Sequence, residues 1–227
     1  MTRYSVISKK MPREFVLLQG QGCAWKRCTF CDYHTDVSDN PFSINKMVLG
    51  NVTGQFGVLD IINSGSCVEL DERTLALIAE VVRKKRLHTL WFEAHWMYSD
   101  KLADLAARFP GVEVKFRAGV ETFDSQTRRR WNKGMPDCVT ADEVARYFQG
   151  ICLLVGIKGQ TRAAVSRDIE LAMAHFEYFS VNAFVENTTD EKRDEAFLDW
   201  FVREWGRRLE LHPAAEVLLR NTDLGVG

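Results

Sequence analysis

The sequence predicts an α/β fold in which about six parallel strand–helix units form a curved, open partial barrel. Three observations predict it. Short apolar, β-branched runs alternate with longer segments of helical period, an alternation that demands parallel strands with right-handed crossovers. No repeat, low-complexity tract or Pro/Gly/Ser-rich linker interrupts the series. Six units are too few to close an eight-fold barrel, which takes about 250 residues, so the expected form is a partial (β/α)6, TIM-like barrel with an open sheet. One domain over residues 1–227 is expected.

The elements follow in order. "EFVLL" (14–18) reads as a strand running directly into a cysteine-rich loop at 20–36. "VLDIINSG" (58–65) is a second strand ended by a polar Gly turn. In the helix that follows, Leu75, Ile78, Ala79 and Val82 share one stripe, Asp71 suits the N-cap, and acids come early and bases late. "LHTLWFEA" (87–94) is the third strand, with a helix around "DKLADLAARF". "VEVKFRAGVE" (112–121) is the fourth, its helix "DSQTRRRWNKG" stopped by Gly134. "GICLLVGI" (150–157) is the fifth, followed by "RAAVSRDIELAMAHF". "YFSVNAFV" (178–185) is the sixth, trailed by "EKRDEAFLDWFVREWGRRL".

Composition narrows the function. Apolar residues make up 46% and charged residues 27%, with a formal net charge of −1, so no global basic field exists to hold a nucleic-acid backbone. The adjoining Arg128, Arg129 and Arg130 read as a solvated helix face. No apolar run reaches the roughly 18 residues of a membrane span. The N-terminus carries charge but no apolar core of a secretion signal. The six cysteines are clustered rather than spread as a disulfide framework, which makes the cytoplasm, with reduced thiols, the expected location.

Three of those cysteines, Cys23, Cys28 and Cys31, fall in "GCAWKRCTFCDYH" (22–34) as Cys-x4-Cys-x2-Cys. In such a fold chemistry collects at the C-terminal ends of the strands, and this loop follows the first strand. Chance clustering of core cysteines does not suit so polar a segment. A closed zinc site is open as an alternative, with His34 as fourth ligand, since zinc takes tetrahedral N/S sites. The other reading is an iron–sulfur cluster, where three thiolates for four irons leave one iron open for chemistry.

With these residues the chain resembles the radical S-adenosylmethionine (SAM) superfamily, whose loop is usually Cys-x3-Cys-x2-Cys with an aromatic residue before the last cysteine. Phe30 matches that aromatic position, while the first gap is one residue longer here. "NSGS" (63–66), with Ser64, Gly65 and Ser66, resembles the superfamily's Gly-Gly-Glu turn that engages the methionine amino group, its acid replaced by Ser66. "GVETFD" (119–124) resembles the segment that meets the ribose and methionyl carboxylate, with Glu121 as the polar candidate. "VGIKGQT" (155–161) resembles the fifth-strand motif, placing Gly156 and Ile157 against adenine. The resemblance implies a [4Fe–4S] cluster on Cys23, Cys28 and Cys31, SAM as second cofactor, and a flavodoxin- or ferredoxin-type reductant as partner.

A small-molecule substrate is expected, because the chain leaves no residues for an added nucleic-acid-binding domain. Polar residues at the strand ends are the candidates to meet it. Glu93, His95, Arg117 and Glu186 are the catalytic candidates, with Lys158 and Asn182 beside them. In "FEAHW", Trp96 offers a stacking face for a planar heterocycle and Glu93 a carboxylate for its edge. Asp32, Tyr33, His34 and Asp36 extend the cysteine loop. At whole-chain level the length, the cysteine spacing and the "NSGS" turn resemble the radical SAM queuine lyases. That resemblance implies a 7-deazaguanine base as substrate, C–N cleavage, and release of 7-aminomethyl-7-deazaguanine for queuosine salvage and tRNA modification. A radical SAM enzyme acting on tRNA or protein, and a non-catalytic zinc module, stay open. Cys67 and Cys152 read as buried, and Trp91, Trp131, Trp200 and Trp205 as core or interface anchors.

Overall fold

The structure, a computed structural model, describes residues 1–227 and divides into two compact units. The first comprises Met1–Lys26, Tyr33–Phe116 and Leu224–Gly227, the second Arg27–Asp32 and Arg117–Asp223.

The first unit carries β1 (Tyr4–Ile7), β2 (Arg13–Leu18), α1 (Pro41–Leu49), β3 (Val58–Asn63), α2 (Glu72–Lys85), β4 (Thr89–Ala94), α3 (Leu102–Ala106) and the first half of β5 (Glu113–Glu121). Strands β2, β3 and β4 pair in parallel in chain order, with Leu18 beside Asn63 and Ile61 beside Phe92. β1, which shows no clear signal in the sequence, adds antiparallel to β2 as an edge. In α2 the stripe behaves as its period requires: Leu75, Ile78 and Val82 are buried and Ala79 half-buried. Asp71 caps the helix by accepting from the N–H of Thr74 at 3.0 Å, and Arg83, Lys84 and Lys85 oppose the C-terminal dipole. Phe15, Leu18, Leu59, Ile61, Ile78 and Phe92 form the core. Two buried polar residues of β2 are satisfied within it. Arg13 pairs with Asp60 at 2.9 Å. The Glu14 carboxylate accepts from the Tyr4 hydroxyl and the N–H groups of Thr53 and Gly54, each at 2.7 Å. Burial, then the Glu14 hydrogen bond and charge, push the Tyr4 phenol up to about 12.

The second unit carries the rest of β5, α4 (Ser125–Arg130), α5 (Ala141–Ala145), β6 (Gly150–Val155), α6 (Arg162–His175), β7 (Tyr178–Ala183), α7 (Glu195–Phe201), α8 (Arg207–Leu211) and β8 (Ala215–Leu218). A π-helical turn, Val202–Gly206, joins α7 to α8. Here β5, β6, β7 and β8 pair in parallel in chain order. The β5–β6 register shifts between Gly119 and Glu121. Helix α4 stops at Arg130, short of Gly134. The reason is Arg128. Only 2% exposed, it donates to the carbonyls of Pro136, Asp137 and Val139, drawing the chain back beneath the helix. The arginine run is therefore not a solvated face: Arg128 is inside, Arg129 lies 3.4 Å from Asp137, and Arg130 donates to the carbonyl of Gly159. No helix of the chain is long and apolar enough to cross a membrane.

Candidate functional site

In the first unit, the loops that follow β2, β3 and β4 are tied to one another by a small set of buried bonds. The N–H of Gly20, just past β2, donates to Ser64 Oγ at 3.1 Å. Ser66 Oγ accepts from the backbone N–H of His95, past β4, at 3.0 Å. The Ser66 N–H donates to Glu69 Oε2 at 2.8 Å. The other oxygen of Glu69 accepts from the Ala24 N–H at 3.0 Å and from the Tyr98 hydroxyl at 2.8 Å. Glu69 thus holds the turn at 64–66 and the start of the cysteine loop with one carboxylate. Gly65 is required by close approach: a Cβ there would overlap Glu69 Oε2 and lie 2.9 Å from the Gly22 carbonyl oxygen.

His95 is buried, its ring stacked on Trp25 at 5.7 Å and 19°. Its Nδ1 accepts from the Met97 N–H at 3.2 Å, so the neutral ring carries its proton on Nε2. Burial, and then the Glu69 hydrogen bond, push the Tyr98 phenol up. Burial likewise pushes the Cys67 thiol up, with the charges of Glu93 and Glu69 adding to the effect, so Cys67 stays a thiol in the core, as the sequence suggests. Glu93 and Trp96 are half-buried. Asp36 is a brace. Burial opposes its charge, yet hydrogen bonds from Arg3 and Gln19 hold its carboxyl below the usual range. His34 is half-buried in a 3₁₀ turn, Tyr33–Thr35.

The second unit holds Cys28 and Cys31. The Cys31 N–H donates to the Cys28 carbonyl at 3.3 Å, and the N–H of Thr29 donates to the Trp131 carbonyl at 3.0 Å. The Asn187 side-chain amide donates to the Phe30 carbonyl at 2.8 Å, and Asp32 accepts from both the N–H and the hydroxyl of Thr188. Phe30 is buried edge-on against Trp131, ring centroids 5.4 Å apart. Ile157 and Phe184 complete this buried group, and Cys28, Cys31 and Leu154 pack against it. The indole Nε1 of Trp131 is buried and has no hydrogen-bond partner.

Glu121 closes the same region. Its backbone is left-handed, φ 65°, at the irregularity of β5, a costly conformation for a non-glycine residue. Its carboxylate accepts from Lys133 Nζ at 2.9 Å, and Nζ lies 5.8 Å from the Phe30 ring centroid. Burial disfavours the Lys133 charge, but the carboxylate of Glu121 and the thiol groups of Cys28 and Cys31 outweigh it and push the ammonium pKa up. Gly156, at φ 93°, and Ile157 both donate their N–H to Gln160 Oε1, at 2.7 and 3.0 Å. Ile157 is fully buried.

The remaining candidates of this unit are scattered. Arg117 is 3% exposed and sits level with Gly150, the first residue of β6, with its guanidinium over the Tyr178 ring. It therefore lies four residues before the end of β5 rather than at it. Glu186 is exposed and accepts from the Arg193 N–H at 3.1 Å. Lys158 is exposed. Asn182 Oδ1 is buried without a partner.

All six cysteines are free thiols; Cys23, Cys28 and Cys31 are half-buried, while Cys138 is exposed. No three of the chain's His, Cys, Asp and Glu side chains are gathered into a site for a metal ion. The donor set suits the cluster that the sequence implies. Three soft sulfur ligands match iron–sulfur chemistry, the Lys133 ammonium opposes the negative charge of thiolates, and the orphaned Trp131 N–H is a donor with no acceptor of its own.

Glu69, Tyr98, Trp25, Lys133, Gln160 and Asn187 do not stand out in the sequence. Only Glu69 carried a local signal, the Ser-x-x-Glu spacing from Ser66 that marks reciprocal backbone capping. The others act through partners distant in sequence.

No protein-family model matches the chain, and no curated protein sequence matches it. Among solved structures, the chain is similar to the queuine lyase from Clostridium spiroforme bound to SAM and queuine. The identity is 37%, the TM-score 0.95, and the match covers 100% of this chain and 99% of that one. SuiB from Streptococcus suis, solved with and without SAM, matches at 14% and 12% identity with TM-scores of 0.57 and 0.54. Both matches cover 92% of this chain and about half of SuiB, at 51% and 50%, and they bear on the fold alone. The fold class expected from the sequence, an α/β partial barrel of parallel strands, is the fold class found.

Proposed function

Because the chain belongs to the radical SAM family that includes the Clostridium spiroforme queuine lyase, we propose that this radical SAM enzyme is itself a queuine lyase. Its substrate would be queuine, cleaved at the C–N bond to release 7-aminomethyl-7-deazaguanine. The observation that carries this reading is the likeness over the whole chain, at 37% identity, to a structure that holds both SAM and queuine.

In this reading Cys23, Cys28 and Cys31 hold a [4Fe–4S] cluster. When bound, that cluster and SAM supply one-electron cleavage of the sulfonium bond and a 5'-deoxyadenosyl radical that takes a hydrogen atom from substrate. The chain's own residues bind and orient. Ser64, Gly65 and Ser66 offer a rigid turn for the methionine amino group, and its rigidity comes from Glu69 and from the His95 N–H. Glu121, held by Lys133, serves the ribose and carboxylate end. Gly156 and Ile157, fixed by Gln160, serve the adenine end. Phe30 and Trp131 exclude water beside Cys28 and Cys31.

Glu93 and His95 are the residues assigned to the 7-deazaguanine base, Glu93 accepting from the amide-like edge. Arg117 and Glu186 are assigned more distant supporting roles, in keeping with the burial of the first and the exposure of the second. The reductant would be a flavodoxin- or ferredoxin-type protein.

Anaerobic reconstitution with iron and sulfide, followed by incubation with SAM, reductant and queuine, tests the reading. Queuine should stimulate 5'-deoxyadenosine formation and give 7-aminomethyl-7-deazaguanine. No stimulation by queuine would remove the substrate assignment. A colourless protein that binds one zinc ion and never cleaves SAM would remove the enzyme assignment as well.

A further inference from the structure

Trp131 is fully buried, and its indole N–H meets no acceptor. Buried donors without partners are rare, and each one calls for a reason. The surroundings of this one are apolar rings and sulfur. Phe30, Ile157 and Phe184 share its pocket, and the side chains of Cys28 and Cys31 pack against the same group. The neighbouring donors are already committed. The Asn187 amide goes to the Phe30 carbonyl, the Gln160 amide to the Leu154 carbonyl, and the Lys133 ammonium to Glu121.

The main chain of Trp131 is also fastened to the cysteine loop, since its carbonyl accepts from the N–H of Thr29, between the two cysteines. The indole is therefore held beside the sulfur ligands from both its backbone and its ring.

We propose that the Trp131 Nε1–H donates a hydrogen bond to a sulfur of the iron–sulfur cluster held by Cys28 and Cys31, either a cysteine thiolate or an inorganic sulfide, and so raises the cluster's reduction potential. The proposal rests on the radical SAM reading. Reduction adds one electron to the cluster, and the added negative charge is spread over its sulfurs. A hydrogen bond to sulfur stabilises that reduced state more than the oxidised one and shifts the couple upward. Trp131 is a positioning and tuning residue in this scheme, not one that touches substrate.

The test uses the full chain with Trp131→Phe, which keeps a ring in the pocket and the backbone bond to Thr29 while deleting the N–H. Wild type and variant are reconstituted anaerobically, their iron and sulfide measured, and the reduced-cluster EPR signal titrated against potential. We expect equal cluster content and a midpoint displaced to more negative potential. The reduction equilibrium should be roughly tenfold less favourable, which for a one-electron couple is about 59 mV. An unchanged midpoint at equal cluster content overturns the proposal and leaves the radical SAM reading standing. If the variant fails to fold, protein labelled with 15N-indole tryptophan in a Trp25→Phe background decides. Electron–nuclear double resonance on the reduced cluster should show a nitrogen coupling, and its absence overturns the proposal. Wild-type protein that takes up no iron–sulfur cluster overturns both the proposal and the reading beneath it.

Discussion

The carboxylate of Glu69 lies 3.0 Å from the backbone nitrogen of Ala24, the residue that follows Cys23. Through its second oxygen the same side chain holds the N–H of Ser66 at 2.8 Å. One acid thus fixes the spacing between the first cysteine and the turn assigned to the methionine amino group.

Replacing Glu69 should therefore weaken SAM binding more than it damages the fold. Glu69→Ala strands the Ala24 and Ser66 N–H groups and the Tyr98 hydroxyl, each a donor whose loss of partner costs about 1 kcal/mol where solvent can help. SAM affinity of the reconstituted enzyme should fall about tenfold by isothermal titration calorimetry. Glu69→Gln, which keeps an acceptor oxygen, should fall by less.

Cys28→Ala should abolish 5'-deoxyadenosine formation while the protein stays folded, because the side chain is only half-buried. Cys138→Ala, at an exposed position outside the loop, should leave turnover unchanged. Iron content and deoxyadenosine yield check both; wild-type turnover in Cys28→Ala would refute the ligand assignment.

Lys133 and Glu121 form an ion pair with side chains 9% and 11% exposed. Removing one member of such a pair leaves the other charge buried alone and costs about 3 kcal/mol. Lys133→Met should therefore lower the melting temperature clearly, and Lys133→Met with Glu121→Gln should recover much of the loss. A double-mutant cycle by thermal denaturation measures the coupling.

Asp168 gives a pH signature. Its carboxylate accepts from the Thr122 hydroxyl at 2.6 Å and the Phe123 N–H at 2.8 Å, but burial outweighs those bonds and pushes its pKa up to about 6. The folded value lies above the unfolded value of about 3.9, so the folded state keeps the proton longer. The associated stability is full below about pH 4 and is lost as pH rises through about 6. Relative to Asp168→Asn, wild type should lose about 3 kcal/mol between pH 4 and 7 and then stay level. Urea denaturation across that range checks it.

What the sequence determined alone was local in origin. The alternation of β-branched runs and helical stripes placed six of the eight strands, and the α2 stripe with its Asp71 cap appears as its spacing requires. The cysteine array and Phe30 were legible because ligands on one short loop must be close in sequence. The edge strands β1 and β8, four residues each, are too short to show a period. Tertiary structure decided the rest. Glu69 reaches Ala24 across 45 positions and Asn187 reaches Phe30 across 157, so neither pairing leaves a local pattern. The sequence places Arg117 among the strand-end polar residues, but the register of β5 against β6 sets it at the level of Gly150. Arg128 and Trp131 read as a solvated charge and a core anchor. Burial turned the first into a hydrogen-bond hub, and left the second with a donor that needs a partner. Periodicity reports which face of an element is apolar, whereas the partner of a buried polar group depends on what the fold brings opposite it.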